Sequence, residues 1–295
     1  MINLAYLVAG VLFIVGLRNL TSPVTARRGN RLAALGMLVA VIVVVVDLID
    51  IGGELKWLIV IGGLVVGGGI GALLALRVQM TDMPQLVAAF NGFGGGASAL
   101  VAAAAIVASV EAMPAETGVT TVLSLAIGTV TFTGSFIAFG KLQGIISGKP
   151  AAIPGGAATN GVIAAVTVVV SVAAVATANP LLYWIAAGLA GVLGVTGVMP
   201  IGGADMPVVI SLLNSLSGIA AAMAGFVIGN QALIIGGALV GAAGLILTIE
   251  MSVAMNRSLG NILFSGFGGG PVAEDIGTKP VRRATADDAA IALAY

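Results

Sequence analysis

Residues 82–97 read DMPQLVAAFNGFGGGA, and residues 205–220 read DMPVVISLLNSLSGIA. The two stretches share six residues at a constant offset of 123 positions, counted from Asp82 to Asp205. Each copy places a carboxylate and a proline ahead of an apolar run, which is typical of a helix start. Nine residues after the aspartates come Asn91 and Asn214. The repeat therefore predicts two matching apolar helices, each with an amide inside.

The composition of the whole chain indicates a membrane protein. Hydrophobic residues make up 59% of the 295 residues, charged residues only 8%, and the mean hydropathy is +1.16. A soluble chain of this length lacks enough polar surface to cover so much apolar material. The absence of cysteine and histidine from the sequence excludes disulfides and removes the commonest metal ligands, so we expect no metal site.

Nine apolar stretches are long enough to cross a bilayer, which takes roughly 17–25 residues per helix. We place them at about 2–19, 31–50, 56–76, 83–109, 119–140, 160–178, 181–199, 206–228 and 231–255. The predicted fold is an all-α polytopic membrane protein, a bundle of about nine transmembrane helices over residues 1–265.

The basic residues predict the orientation of this bundle, because lysine and arginine collect in cytoplasmic loops. With nine spans, the odd-numbered loops hold nearly all of the basic residues: Arg18, Arg27, Arg28, Arg31, Arg77, Lys141, Lys149 and Arg257. Of the even-numbered loops, only the second holds a basic residue, Lys56. We therefore expect the N-terminus outside and the C-terminus in the cytoplasm.

Residues 266–295 are polar and predict a linker followed by the start of a soluble domain. Thr285 and Asp288 are spaced like a capping box, and the apolar run after them stops in mid-pattern. Three glycine runs, at 67–71, 92–96 and 266–270, look superficially like nucleotide loops. The first two lie inside predicted spans, where close helix packing is the favoured interpretation.

The two asparagines predict a polar site in the middle of the membrane. At about 1.5 Å per residue, Asn91 and Asn214 lie roughly 13 Å inside a hydrocarbon core about 30 Å thick. A single such amide usually joins neighbouring helices, but two at matching depth favour facing walls of one site. On the fifth span, Ser135 and at most one of Thr131 and Thr133 are expected to line it.

The charged residues near the span ends have two interpretations. Asp82 and Asp205 are expected to cap helices, although their repetition also favours a functional role. Glu250 is a secondary candidate for a proton carrier, or it forms an ion pair with Arg257, seven residues later.

Three strings then carry a family resemblance: residues 201–215 (IGGADMPVVISLLNS), residues 131–142 (TFTGSFIAFGKL) and residues 254–258 (AMNRS). They closely resemble the beta subunit of the proton-translocating NAD(P) transhydrogenases, and the resemblance extends to about residue 268. That family couples hydride transfer between NADH and NADP to proton passage. The resemblance implies that this chain is a subunit of such an enzyme, with no catalytic or cofactor-binding residue of its own.

The resemblance also implies partners and a location. NAD lies on an alpha subunit that has its own membrane helices, and NADP lies on a soluble domain that follows the linker. The expected assembly is a dimer of the whole complex in a prokaryotic inner membrane, in contact with lipid and without nucleic acid. The cytoplasmic coupling face comprises Asp205, Arg257, Asp82 and Lys141.

The proton path implied by the resemblance uses Ser135, Asn214 and a histidine that falls on Asn91. Because this chain has no histidine, we expect the alpha subunit to supply a titratable side chain beside the two asparagines. A secondary transporter or channel, with a helix broken at 92–96, is the alternative function. A structural membrane anchor, in which both asparagines only join helices, is a third.

Overall fold

The computed structural model describes residues 2–49, 54–109, 113–151 and 153–264, which are mostly helical and contain no β-strand in these ranges. The elements are α1 (Ile2–Leu20), α2 (Pro23–Ile49), α3 (Glu54–Arg77), α4 (Met83–Ala108), α5 (Ala115–Leu142), α6 (Gly156–Thr177), α7 (Pro180–Val198), α8 (Met206–Ile228), α9 (Gln231–Ala254) and the short α10 (Leu259–Phe264). One-turn 3-10 helices, Met80–Asp82 and Gly203–Asp205, precede α4 and α8.

The length and hydropathy of these helices confirm the multi-pass membrane fold. Within the described ranges, eight helices are long and apolar enough to cross a bilayer, and α1 contributes the shorter apolar segment Leu4–Leu20. Helix α2 begins at Pro23, eight residues before the predicted span. Hydropathy detects only the apolar part of α2. The helix begins earlier because proline suits the first turn of a helix and arginine is a good helix former.

Helices α4, α5 and α8 contact one another and form the centre of the described bundle. Helix α9 packs along α8, α7 packs along α5, α6 packs on α7, and α1 packs on α2 and α9. Both copies of the sequence repeat therefore belong to central helices, with α5 in contact with each.

Glycines allow the closest helix contacts, among them the crossing of α8 and α9. A Cβ atom on Gly218 of α8 would lie 2.8 Å from the carbonyl oxygen of Gly237, so only glycine fits this crossing. Gly67 and Gly71 of α3 behave differently, because a Cβ on either would meet nothing within 4 Å. None of the side chains described on α3 is buried.

The helix break that the transporter alternative places at residues 92–96 is wrong. Helix α4 runs without interruption from Met83 to Ala108, and a Cβ on Gly95 would lie 2.8 Å from the Thr131 Cβ of α5. The glycines there serve close packing rather than unwinding. The expected linker and start of a soluble domain, residues 266–295, lie outside the described residues.

Candidate functional site

The sequence repeat produces two matching helix starts. Gln79 and Gly202, which precede the two 3-10 turns, have nearly the same extended backbone, with φ −78° and ψ 155° against φ −71° and ψ 152°. Asp82 and Asp205 end the turns with φ near −100° and −91°. The repeat is therefore structural as well as sequential.

The two aspartates of the repeat have different surroundings. Arg257, just after α9, donates from Nη1 to both carboxylate oxygens of Asp205, at 2.8 and 2.7 Å. Asp205 is only 5% exposed, whereas Asp82 is exposed. Neither aspartate side chain accepts a capping hydrogen bond, so the expected cap is wrong for both. A capping residue normally has an extended backbone, but the 3-10 turn gives both aspartates ψ values near zero.

Lys141 lies at the same end of the bundle, near the end of α5, and is 4% exposed. Its ammonium group donates to the carbonyl oxygens of Met199 and Ile201, the latter at 2.7 Å, and more weakly to that of Lys149 at 3.4 Å. These carbonyls belong to the loops before α6 and α8. Lys141 thus fixes the segment that leads into Asp205.

Asn91, the ninth of the 26 residues of α4, is the centre of a buried polar cluster. Its Nδ2 donates to Ser135 Oγ of α5 at 2.9 Å, and its Oδ1 accepts from Ser217 Oγ of α8 at 2.7 Å. Asn91 is 8% exposed and Ser135 is fully buried. One amide therefore joins all three central helices and brings together Asn91 and Ser135, both candidate site residues from the sequence, with Ser217, which was not predicted.

Asn214 lies on the wall of a groove rather than inside this cluster. It is half-buried, and the described structure gives its side chain no hydrogen-bond partner. The groove has a volume of about 1030 Å³ and is lined by residues from α1, α2, α3, α4, α8 and α9. Its walls are apolar apart from the polar residues Asn30, Asn91, Asn214, Ser217 and Asn230. Both repeat asparagines therefore reach one groove, but only Asn91 is held in place.

The three hydroxyls of α5 point in different directions. Ser135 bonds to Asn91, and Thr131, one turn earlier, is fully buried with a hydroxyl that has no partner. Thr133 donates to the carbonyl oxygen of Gly191 at 2.9 Å and so joins α5 to α7. The structure places Thr131 on the side of Ser135 and Thr133 on the opposite side, away from the cluster.

The comparison with known proteins identifies the family. The family model described as NAD(P) transhydrogenase beta subunit matches residues 2–295. This chain belongs to that family. Two curated relatives from Rhodospirillum rubrum, one of them from a designated strain, are both named NAD(P) transhydrogenase subunit beta. Each is 45% identical to this chain over 300 residues, which is 98% of the chain and 64% of the relative.

This transhydrogenase beta-subunit chain spans just under two thirds of the length of those relatives. The glycine runs of α3 and α4 lie inside helices, and the described ranges hold no strand from which a dinucleotide-binding loop starts. The described residues also hold no group of acidic residues suited to a metal ion.

Glu250 is not part of the cluster or of an ion pair with Arg257. It is exposed on α9, and Arg257 binds Asp205 instead, because the corner after α9 turns the guanidinium toward the start of α8. Sequence reasoning missed Ser217 and Gln85, whose buried Oε1 has no partner two turns before Asn91. The repeat could have indicated Ser217, because the equivalent residue 123 positions earlier is Gly94, so only the second copy has a hydroxyl at this position.

Proposed function

We propose that this chain is the proton-conducting membrane part of a proton-translocating transhydrogenase. The soluble domains of the complex transfer hydride between NADH and NADP, and this bundle couples that transfer to proton passage. The cluster of Asn91, Ser135 and Ser217 is the observation that supports this role. Polar side chains inside a membrane are costly to bury, and those that face the interior of a helix bundle often mark an ion or proton pathway.

The path itself comprises two walls. Asn91 and Ser135 form a fixed wall, since their side chains bond to each other across α4 and α5. Asn214 forms the opposite wall, with a free amide that can bind water or an incoming side chain. Thr131 extends the fixed wall by one turn, because its buried hydroxyl has hydrogen-bonding capacity left unused.

The end of the bundle that holds Asp205, Arg257 and Lys141 is the coupling face in this proposal. It faces the cytoplasm and the NADP domain, which follows the linker at residues 266–295. The ion pair connects the start of α8, and hence Asn214, to the corner after α9. A movement of the NADP domain against that corner can therefore be transmitted through the ion pair to α8, the helix that carries Asn214.

The titratable group of the path comes from the alpha subunit. The cluster contains only amides and hydroxyls, which do not ionise near neutral pH. The groove beside it is mostly apolar, is large enough for side chains of a partner helix, and has Asn214 on its wall. A membrane helix of the alpha subunit lying in this groove places a histidine or carboxyl against Asn214 and Asn91.

The assembly is a heteromeric complex in a prokaryotic inner membrane, dimeric as a whole, with the NAD-binding domain on the alpha subunit. The many exposed apolar side chains of the bundle suit contact with lipid and with membrane helices of that subunit.

The proposal is tested in vesicles that hold the purified alpha–beta complex, by measuring proton uptake and hydride transfer together. We expect hydride transfer to acidify the vesicles, and Asn91→Ala to abolish acidification while NADP still binds. Neutralising every titratable residue in the alpha membrane helices must also stop pumping. Normal pumping after that change refutes the role of the alpha subunit.

A further inference from the structure

Ser217 belongs to the polar cluster around Asn91, whereas the equivalent position in the first copy of the repeat is Gly94. Its hydroxyl lies 2.7 Å from Asn91 Oδ1 and 3.3 Å from the carbonyl oxygen of the same residue. It also lines the groove, one turn after Asn214. The position connects the groove to the buried amide.

The Asn91 amide is held at both ends. Ser135 on α5 accepts from its nitrogen, and Ser217 on α8 donates to its oxygen. The terminal torsion of asparagine is broad, so an amide tied at one end only samples many orientations. The two hydroxyls together fix the plane of the amide relative to α5 and α8.

The second copy of the repeat shows what happens without such a hydroxyl. Asn214 corresponds to Asn91, and Gly94 corresponds to Ser217, at the same offset of 123 residues. Gly94 has no side chain to donate, and the described structure gives the Asn214 side chain no partner. One copy therefore has a fixed amide and the other a free one.

We infer that Ser217 is a positioning residue that holds the Asn91 carboxamide in the orientation the proton path requires. This inference rests on the proposed function, since it assigns Asn91 to that path. Ser217 does not itself transfer the proton. It keeps Asn91 directed at Ser135 while Asn214 remains free to respond to the partner subunit.

The test compares three variants of the full-length beta subunit, assembled with its alpha subunit in vesicles. Ser217→Ala removes the donor, and Ser217→Thr restores a hydroxyl. Ser215→Ala is the control, because Ser215 lies two residues earlier on α8 and is more deeply buried than Ser217, but it donates to the Gly241 carbonyl of α9 at 2.6 Å. We expect proton uptake to fall about fivefold in Ser217→Ala, to recover to within about twofold in Ser217→Thr, and to stay near wild type in Ser215→Ala.

A pH profile separates positioning from general stability. In an Asn91→Asp background, the Ser217 hydroxyl donates to the carboxylate and favours its ionised form. Removing that donor raises the midpoint of the pH profile of proton uptake by about one pH unit. Helices α4 and α8 carry no titratable side chain, and those of α5, Glu116 and Lys141, lie at its two ends. The added Ser215→Ala change leaves the midpoint in place.

The outcomes also separate this inference from the proposed function. If Asn91→Ala pumps normally, the proposed path fails and the inference fails with it. If Asn91→Ala does not pump but Ser217→Ala behaves like Ser215→Ala, only the inference fails. Should Asn91→Asp not assemble, the comparison of the three serine variants decides the matter by itself.

Discussion

The ion pair between Asp205 and Arg257 predicts that Asp205→Asn separates hydride transfer from proton pumping. The substitution keeps one oxygen acceptor but removes the charge and one of the two contacts with Arg257 Nη1. The side chain of Asp205 is 7% exposed and that of Arg257 is 41% exposed, so water weakens the pair from one side. We therefore expect a cost of about 1–2 kcal/mol, between the values for exposed and buried charged pairs.

A loss of this size leaves the protein folded but loosens the corner after α9. The melting temperature of the purified complex in detergent should fall by only about 2–6 °C. The same free energy corresponds to about a five- to thirtyfold change in the population of the paired state. The number of protons moved per hydride should therefore fall several-fold.

The assay measures proton uptake and NADPH formation in the same vesicles, so that their ratio is free of differences in expression. Asp82→Asn is the matched control, because Asp82 occupies the same place in the repeat but is exposed and has no ion-pair partner among the described residues. We expect its ratio to stay much closer to wild type. An unchanged ratio in Asp205→Asn, with normal amounts of complex, refutes the coupling role of the pair.

Two further substitutions test the packing that supports the site. Lys141→Met leaves carbonyl groups of the loops before α6 and α8 without their donor, and should destabilise the subunit by about 3 kcal/mol. Thermal unfolding in detergent measures this loss. Lys149→Met, at an exposed position, serves as the control. Gly218→Ala places a Cβ 2.8 Å from the Gly237 carbonyl oxygen and should cost about 1–3 kcal/mol, whereas Gly67→Ala, with open space around it, should not lower the melting temperature. Equal stability of either variant and its control contradicts the packing described for that position.

The sequence predicts the helices well because a bilayer demands long apolar segments. The repeat correctly marked the starts of α4 and α8, and composition correctly indicated a membrane bundle. Helix ends were less accurate, since the arginines at the start of α2 extend a helix beyond the apolar part that hydropathy detects.

The contacts within the site were harder to predict, because spacing along one helix does not give its rotation against a neighbour. Ser135 and Thr133 are only two residues apart on α5, yet one faces α4 and the other faces α7. Sequence spacing indicated Glu250, on α9, as a possible partner of Arg257, but the actual partner is Asp205 at the start of α8. The repeat distinguishes Ser217 from its counterpart Gly94, but only the distance from Ser217 to Asn91 shows what Ser217 contacts.

The most direct measurement of the central claim is proton uptake by vesicles that contain the Asn91→Ala/Asn214→Ala double variant. If these two amides form the walls of the proton path, hydride transfer continues at a reduced rate while proton uptake falls below detection. If the asparagines only join helices, the double variant pumps protons at the wild-type ratio to hydride, and the proton path does not lie between α4, α5 and α8.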